Sequence, residues 1–428
     1  MDKKQSNKVI LHNNSVHCYL FLCIVTYRCN KCSKAYRQKE GIAEAVAKTI
    51  KKEGRNVFMK RMLAVLLCLV MVISLAGCSN GGSSSGGKKG KVDVGIVLPT
   101  KDEPRWLQDK AKFESVIKDS KYSVEVLFSQ GSSANEKTNV ETLINKGIKV
   151  LIICAQDAAA AAASVEEAKA AGVTVIAYDR LITGTEAVDY YVTFDSLAVG
   201  AAMGQYLADN ATGQGNPLYL YAGAATDNNA FLFFQGAWNI LQPKIADGTF
   251  VIKNSSEAAG LQATKELSHE QLASIIGQVT TNWDFNEAKS KAEAHLTAVS
   301  AADKGKCYVL APNDGTARSI ADVFGADADV SQYFITGQDS EKASVQYVID
   351  GKQSMTVFKD TRTLATDAMN MAISVIEEKT PDTGSTYDNG KRQVPAKQTP
   401  IVVVTKDNVK EALIDSGYYQ ASDFTGLK

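Results

Sequence analysis

From residue 92 onward, short apolar runs alternate with longer stretches of helical character. The first run, Val92-Asp93-Val94-Gly95-Ile96-Val97-Leu98, predicts a strand, and residues 106–119 predict a helix. The alternation continues through strand 123–128, helix 135–146, strand 149–154, helix 158–171 and strand 173–177. A strand at 189–194 leads into helix 197–209, strand 218–222, helix 231–245 and strand 250–254. After an enlarged connection at 256–281 come helix 286–299, strand 306–311, helix 316–324 and strand 333–337, then strand 354–359 and helix 363–378. Gly147 and Gly172 stand where helix C-caps are expected. The alanine run at 158–163 reads as helix, since alanine is the best helix former and a charged turn follows. The strands are continuous Val/Ile/Leu runs, the pattern of strands covered on both faces. Strands alternating with helices predict an α/β fold built on parallel sheets flanked by helices.

The residues before this pattern differ in kind. Lys60-Arg61 precedes an apolar stretch at 62–76, and Leu75-Ala76-Gly77-Cys78 runs into a Gly/Ser-rich segment at 79–87. A positive start, a short apolar core and small residues at a cut site predict a secretory signal. The core falls short of the about 20 residues that span a bilayer. The Leu-Ala-Gly-Cys ending resembles the bacterial lipoprotein signal, which implies lipid on Cys78 and a membrane anchor. Residues 59–77 then form the signal and 78–91 a flexible tether. Residues 1–58 are read as a leader upstream of a true start at Met59, with Lys52-Glu53-Gly54 matching a purine-rich ribosome-binding stretch. The leader holds Cys18, Cys23, Cys29 and Cys32, but Cys29-Asn30-Lys31-Cys32 supplies only half of a zinc knuckle.

From Cys78 to Lys428 the length suits two domains or one large one. Lys plus Arg and Asp plus Glu both number 47, with no basic stripe, which excludes a nucleic-acid binder. Cys154 and Cys307, each in an apolar run, are expected to be reduced and buried. No cofactor and no metal are expected. Asp327-Ala328-Asp329 lacks the glycine and distal glutamate of a calcium loop.

In parallel sheets, ligands sit beyond the carboxyl ends of the strands. The loops there hold Thr100-Lys101-Asp102-Glu103-Pro104-Arg105-Trp106, Tyr178-Asp179-Arg180, Asp227-Asn228-Asn229, Pro312-Asn313-Asp314, Gly337-Gln338-Asp339 and Phe358-Lys359-Asp360. Among them are no serine elbow, no paired histidines and no phosphate loop. His269 and His295 fall in polar helical stretches.

These segments, with Val188-Asp189-Tyr190-Tyr191-Val192-Thr193-Phe194-Asp195, resemble periplasmic sugar-binding proteins of ABC importers, in the D-xylose-binding and multiple-sugar-binding branch. The resemblance runs from about residue 92 to 419. It implies two similar Rossmann-like lobes joined by three hinge crossings, with a ligand in the cleft between them. By that analogy residues 92–195 and 340–397 form the N-terminal lobe, and 196–339 and 398–428 the C-terminal lobe. The implied ligand is a monosaccharide of the xylose, glucose, galactose or arabinose type. The implied partner is an ABC permease, and the expected state is a monomer.

An indole stacks on the apolar face of a sugar ring and leaves the hydroxyl rim free. Trp106 is the first candidate platform, Trp283 the second, and Phe231 a third contact. Carboxylates accept from the rim hydroxyls, guanidinium and ammonium groups donate to them, and amides do both. Arg105, Arg180, Asp179 and Asp339 suit adjacent hydroxyls, with Asp227, Asn229, Asn313 and Lys359 completing the rim. Gln338 is read as either hinge or ligand contact, and Asp360 and Arg362 as hinge structure. The stretch Asp102-Glu103-Pro104 sets the pocket's edge and departs from the family pattern.

A sugar-responsive repressor needs a helix-turn-helix ahead of Val92, where the signal and tether stand instead. A glycosidase reading pairs Asp179 with Asp339, but surrounding Arg and Lys keep both ionised and leave no general acid. A sugar co-receptor for a chemosensory or two-component system remains as the alternative to transport.

Overall fold

A computed structural model describes residues 91–118 and 120–427. The expected leader, signal and tether, with Cys78, lie outside the described residues apart from Lys91.

The first lobe is a seven-stranded sheet. Its strands are β1 (Val94–Leu98), β2 (Val124–Phe128), β3 (Val150–Ile153), β4 (Thr174–Tyr178), β5 (Tyr190–Phe194), β11 (Ser385–Asp388) and β12 (Gln393–Thr399). The order is β11-β12-β5-β4-β3-β1-β2, and every pairing except β11–β12 is parallel. Alternate residues feed opposite faces, as the pleat requires. Val150 and Ile152 pack with Phe113 and Met369, whereas Leu151 and Ile153 pack with Val140 and Val165. The first face is covered by α1 (Pro104–Ile117) and α11 (Thr361–Ile376), the second by α2 (Ser133–Asn145) and α3 (Ala161–Ala170).

The second lobe repeats the plan. Its parallel sheet runs β7-β6-β8-β9, formed by β6 (Asn216–Leu220), β7 (Phe250–Ile252), β8 (Gly305–Leu310) and β9 (Val330–Ile335). One face carries α4 (Ser196–Asn210), α5 (Asn228–Ala246) and α7 (His269–Val279). The other carries α8 (Phe285–Thr297) and α9 (Asp314–Ala326). Helices α4 and α5 touch at Gly200, where an added Cβ would lie 1.9 Å from the Phe233 carbonyl oxygen. The enlarged connection holds α6 (Ser256–Gly260) and α7, the latter started by a Ser268/Gln271 capping box.

Helix α10 (Lys342–Asp350) and the antiparallel pair β10 (Met355–Lys359) and β13 (Ile401–Thr405) complete the second half. Met355 and Val357 pack among Val199, Leu218 and Trp238. The Val357 amide donates to the Gly337 carbonyl at 2.9 Å, so β10 runs beside the chain that leaves β9. This backbone pairing keeps residues 342–359 with the second lobe, and the return to the first comes at Asp360 rather than at 340. The three crossings are each one residue long: Asp195 between β5 and α4, Asp360 between β10 and α11, and Pro400 between β12 and β13. Cys154 and Cys307 are free and buried.

Candidate functional site

One cleft is lined by Glu103, Arg105, Trp106, Asp179, Arg180, Asp227, Asn229, Phe233, Trp283, Asn313, Gln338, Asp339 and Lys359. It holds about 310 Å³ of space among these side chains, open solvent at its mouth included. All ten binding candidates named from the sequence stand on it. Phe231 does not: it stacks on His269 at 4.6 Å, outside the cleft, and Phe233 takes the inward position. Two residues along α5 turn the side chain by about 200°, to the far side of the helix.

The first lobe supplies Glu103, Arg105 and Trp106 from the start of α1, and Asp179 and Arg180 from the end of β4. Arg105 is buried and gathers three carboxylates. Its Nε donates to Asp109 Oδ2 at 2.6 Å, Nη2 to Asp179 Oδ2 at 2.8 Å and Nη1 to Asp339 Oδ1 at 3.1 Å. Lys359 reaches the same Asp339 oxygen at 2.6 Å. The Tyr178 hydroxyl donates to Asp109 from behind. Desolvation alone would raise the Asp179 carboxyl, but Arg105, Lys359 and Arg180 outweigh it and hold that group below the usual carboxylate range.

Asp179 has φ 61°, a left-handed conformation uncommon outside glycine. Its carbonyl is held by three donors: Tyr191 Oη at 2.7 Å, Asn229 Nδ2 at 2.9 Å and Thr193 Oγ1 at 3.2 Å. Trp283 (φ 63°) and Asp339 (φ 98°) share the left-handed region. Strained backbone of this kind persists where surrounding contacts over-determine it, commonly at ligand clamps.

The second lobe supplies the remaining groups, several from helix starts. Asp227 caps α5, its Oδ1 accepting from the Asn229 amide, while its Oδ2 pairs with Arg180 Nε of the opposite lobe at 2.9 Å. Burial pushes the Asp227 carboxyl up, against the pull of Arg180. Asn313 caps α9 through its Oδ1, which leaves its amide protons for the cleft. Gly223 makes room for Trp283, since a Cβ there would sit 2.0 Å from the indole. A backbone bond from the Ala158 amide to the Thr226 carbonyl, 2.9 Å, also joins the lobes at the cleft's edge.

The aromatic groups are held by neighbouring cleft residues. Arg105 and Arg180 lie 5.1 and 5.2 Å from the Trp106 ring, and Phe233 meets Trp283 edge-on at 6.4 Å. The indole N–H of Trp283 and the Oε1 of Gln338 are buried without a hydrogen-bond partner. Such groups are costly unless a ligand or water satisfies them. Glu103 and Phe233 are cleft residues that the sequence did not assign, and Gln338, read as either hinge or ligand contact, also lines the cleft. Glu103 had one signal, its place in the edge-setting stretch before Arg105.

Two similar lobes, three short crossings and a buried polar cleft lined by an indole from each lobe define a two-lobed solute receptor. The chain belongs to the periplasmic binding protein family: the model for the periplasmic binding protein domain matches residues 94–380. It is 35% identical over 345 residues to the multiple sugar-binding periplasmic protein SbpA of Azospirillum brasilense, covering 78% of this chain and 91% of that protein. Among solved structures, a carbohydrate transporter solute binding protein from Chloroflexus aurantiacus in complex with D-glucose shares 68% identity at a TM-score of 0.78, covering 79% of this chain and 100% of that one. An ABC transporter solute binding protein from Clostridium phytofermentans with bound β-D-glucose shares 34% identity at a TM-score of 0.69, covering 77% and 99%. The chain thus belongs to an extracytoplasmic class of solute-binding transport receptors, which are not enzymes.

Proposed function

We propose that the chain captures one monosaccharide between its lobes and delivers it to an ABC permease, working as a monomer tethered to the outer face of the membrane through lipid on Cys78. The observation that carries this reading is the convergence of Trp106 and Trp283, from opposite lobes, on a cleft rimmed by Arg105, Asp179, Arg180, Asp227, Asn229, Asn313, Asp339 and Lys359. The indoles suit the apolar ring faces and the charged rim suits the hydroxyls. Hydrogen bonds to charged groups contribute about 1.5–3 kcal/mol each. A few of them with stacking reach the roughly −8 kcal/mol of micromolar binding after ordering costs. D-glucose, bound in two of the solved relatives, is our first candidate, with D-xylose, D-galactose and L-arabinose beside it. Cross-lobe contacts such as Arg180–Asp227 tie capture to closure. Calorimetry with these four sugars tests the reading: at least one should bind at micromolar or tighter affinity with compaction in solution scattering. No heat with any of them would overturn it.

A further inference from the structure

We propose that Glu103 is a specificity-setting ligand contact, its carboxylate accepting a hydrogen bond from one hydroxyl of the captured sugar. The proposal rests on the monosaccharide reading above. Glu103 occupies the N-cap of α1, yet its side chain makes no capping bond there. Pro104 follows at the first helical position and brings no N–H to satisfy. The carboxyl is thus released from the local duty that an N-cap side chain usually performs. It lines the cleft beside Trp106, whose indole N–H has no partner in hydrogen-bonding geometry.

Among the described residues, the other charged side chains of the cleft are engaged. Arg105, Asp179, Asp339 and Lys359 form one network, and Arg180 and Asp227 form a pair. Glu103 takes part in neither. Among the described residues it is the charged acceptor of the cleft that pairs with no cation, and a sugar rim is a ring of donors. The groups facing it are Arg180 from the end of β4, Asp339 from the chain after β9, Glu341 at the start of α10 and the Trp106 indole of its own helix. Burial raises the Glu103 carboxyl to about 7; Arg180 and the neighbouring Trp106 indole N–H draw it back, while Asp339 and Glu341 add to the rise.

A hydroxyl bonded to the ionised carboxylate favours the charged form, so binding lowers its proton affinity and releases protons near neutrality. Sugar affinity is then fully present above about pH 8 and declines as pH falls through 7. A bond to a charged acceptor exceeds one to a neutral acceptor by about tenfold in binding constant.

The test is calorimetry of the wild type and Glu103→Gln with D-glucose, D-xylose and D-galactose at pH 5.5, 7 and 8.5. The expected result is about tenfold weaker wild-type binding at pH 5.5 than at 8.5, with a flat profile in the variant close to the wild-type acid limit. Repeating the pH 8.5 titrations with deoxyglucoses should reveal one position whose removal erases the difference between the two proteins. Equal affinities of wild type and variant at pH 8.5, or a shared pH profile, would overturn the role of Glu103 while leaving sugar capture intact. No binding of any of the three sugars by the wild type would overturn both.

Discussion

Replacing Asp227 by asparagine separates closure from folding. The Asp227 carboxylate meets Arg180 Nε at 2.9 Å, and both side chains are buried. Arg180 belongs to the first lobe and Asp227 to the second, so their pairing belongs to the closed cleft. Asparagine keeps the shape and caps a helix about as well as aspartate, so α5 should start where it does now. What is lost is the countercharge. Arg180 would keep a 3.3 Å bond to the Ala155 carbonyl and its place over the Trp106 ring, but no ion-pair partner. Removing one partner of a buried pair costs about 3–5 kcal/mol. In an open protein Arg180 returns to water, so the penalty falls on the closed state. At about 1.4 kcal/mol per decade, D-glucose affinity should weaken at least about a hundredfold. The ligand-free Tm should move by less than about 2 °C. Calorimetry and thermal unfolding measure the two quantities. Affinity preserved within threefold, or a drop of about 10 °C in the ligand-free Tm, would show that the pair serves stability and that closure does not depend on it.

Gly223→Ala should push the Trp283 indole out of place, since the new methyl would lie 2.0 Å from it; D-glucose affinity should fall about tenfold or more with far-UV circular dichroism unchanged. Glu136, buried on α2 and accepting the Gln156 amide at 2.7 Å, is raised to about 7 by burial. Its folded form therefore holds a proton more tightly than the unfolded chain. The stability it contributes is full below about 4.5 and is lost as pH rises through 7, by up to roughly 3 kcal/mol. Thermal melts at pH 5 and pH 8 should show that loss in the wild type and a smaller one in Glu136→Gln. Cys78→Ser should move the protein from the membrane fraction to the medium in cell fractionation.

Much of this was legible in the chain. Fully buried parallel strands, such as Val150–Ile153, declare themselves by apolar runs, and the loops after strands carried nine of the ten candidates that line one cleft, with Trp283 between α7 and α8 the tenth. The gaps have physical causes. Strand β12 reads Gln-Val-Pro-Ala-Lys-Gln-Thr, and its pairing with β5 rather than its own propensity makes it a strand. Phe231 and Phe233 differ by which side of α5 faces inward, a matter of helix phase that needs the Gly200 contact to settle. The crossing at Asp360 depended on β10 joining the chain after β9, a long-range pairing that local pattern does not encode. Glu103 stood in plain view, but a carboxylate outside the ion pairs is recognised only once the neighbouring charges are known to be paired.

The brevity of the links at Asp195, Asp360 and Pro400 has a dynamic consequence. Each is flanked at once by regular structure, and proline fixes one torsion of the third. The torsional freedom available to the pivot is a handful of angles, so little disorder is surrendered when the jaws shut. Intermediate poses have few ways to exist. The molecule should therefore offer its surroundings two outlines, one gaping and one shut, and occupancy becomes a near-binary signal written in the silhouette of the protein.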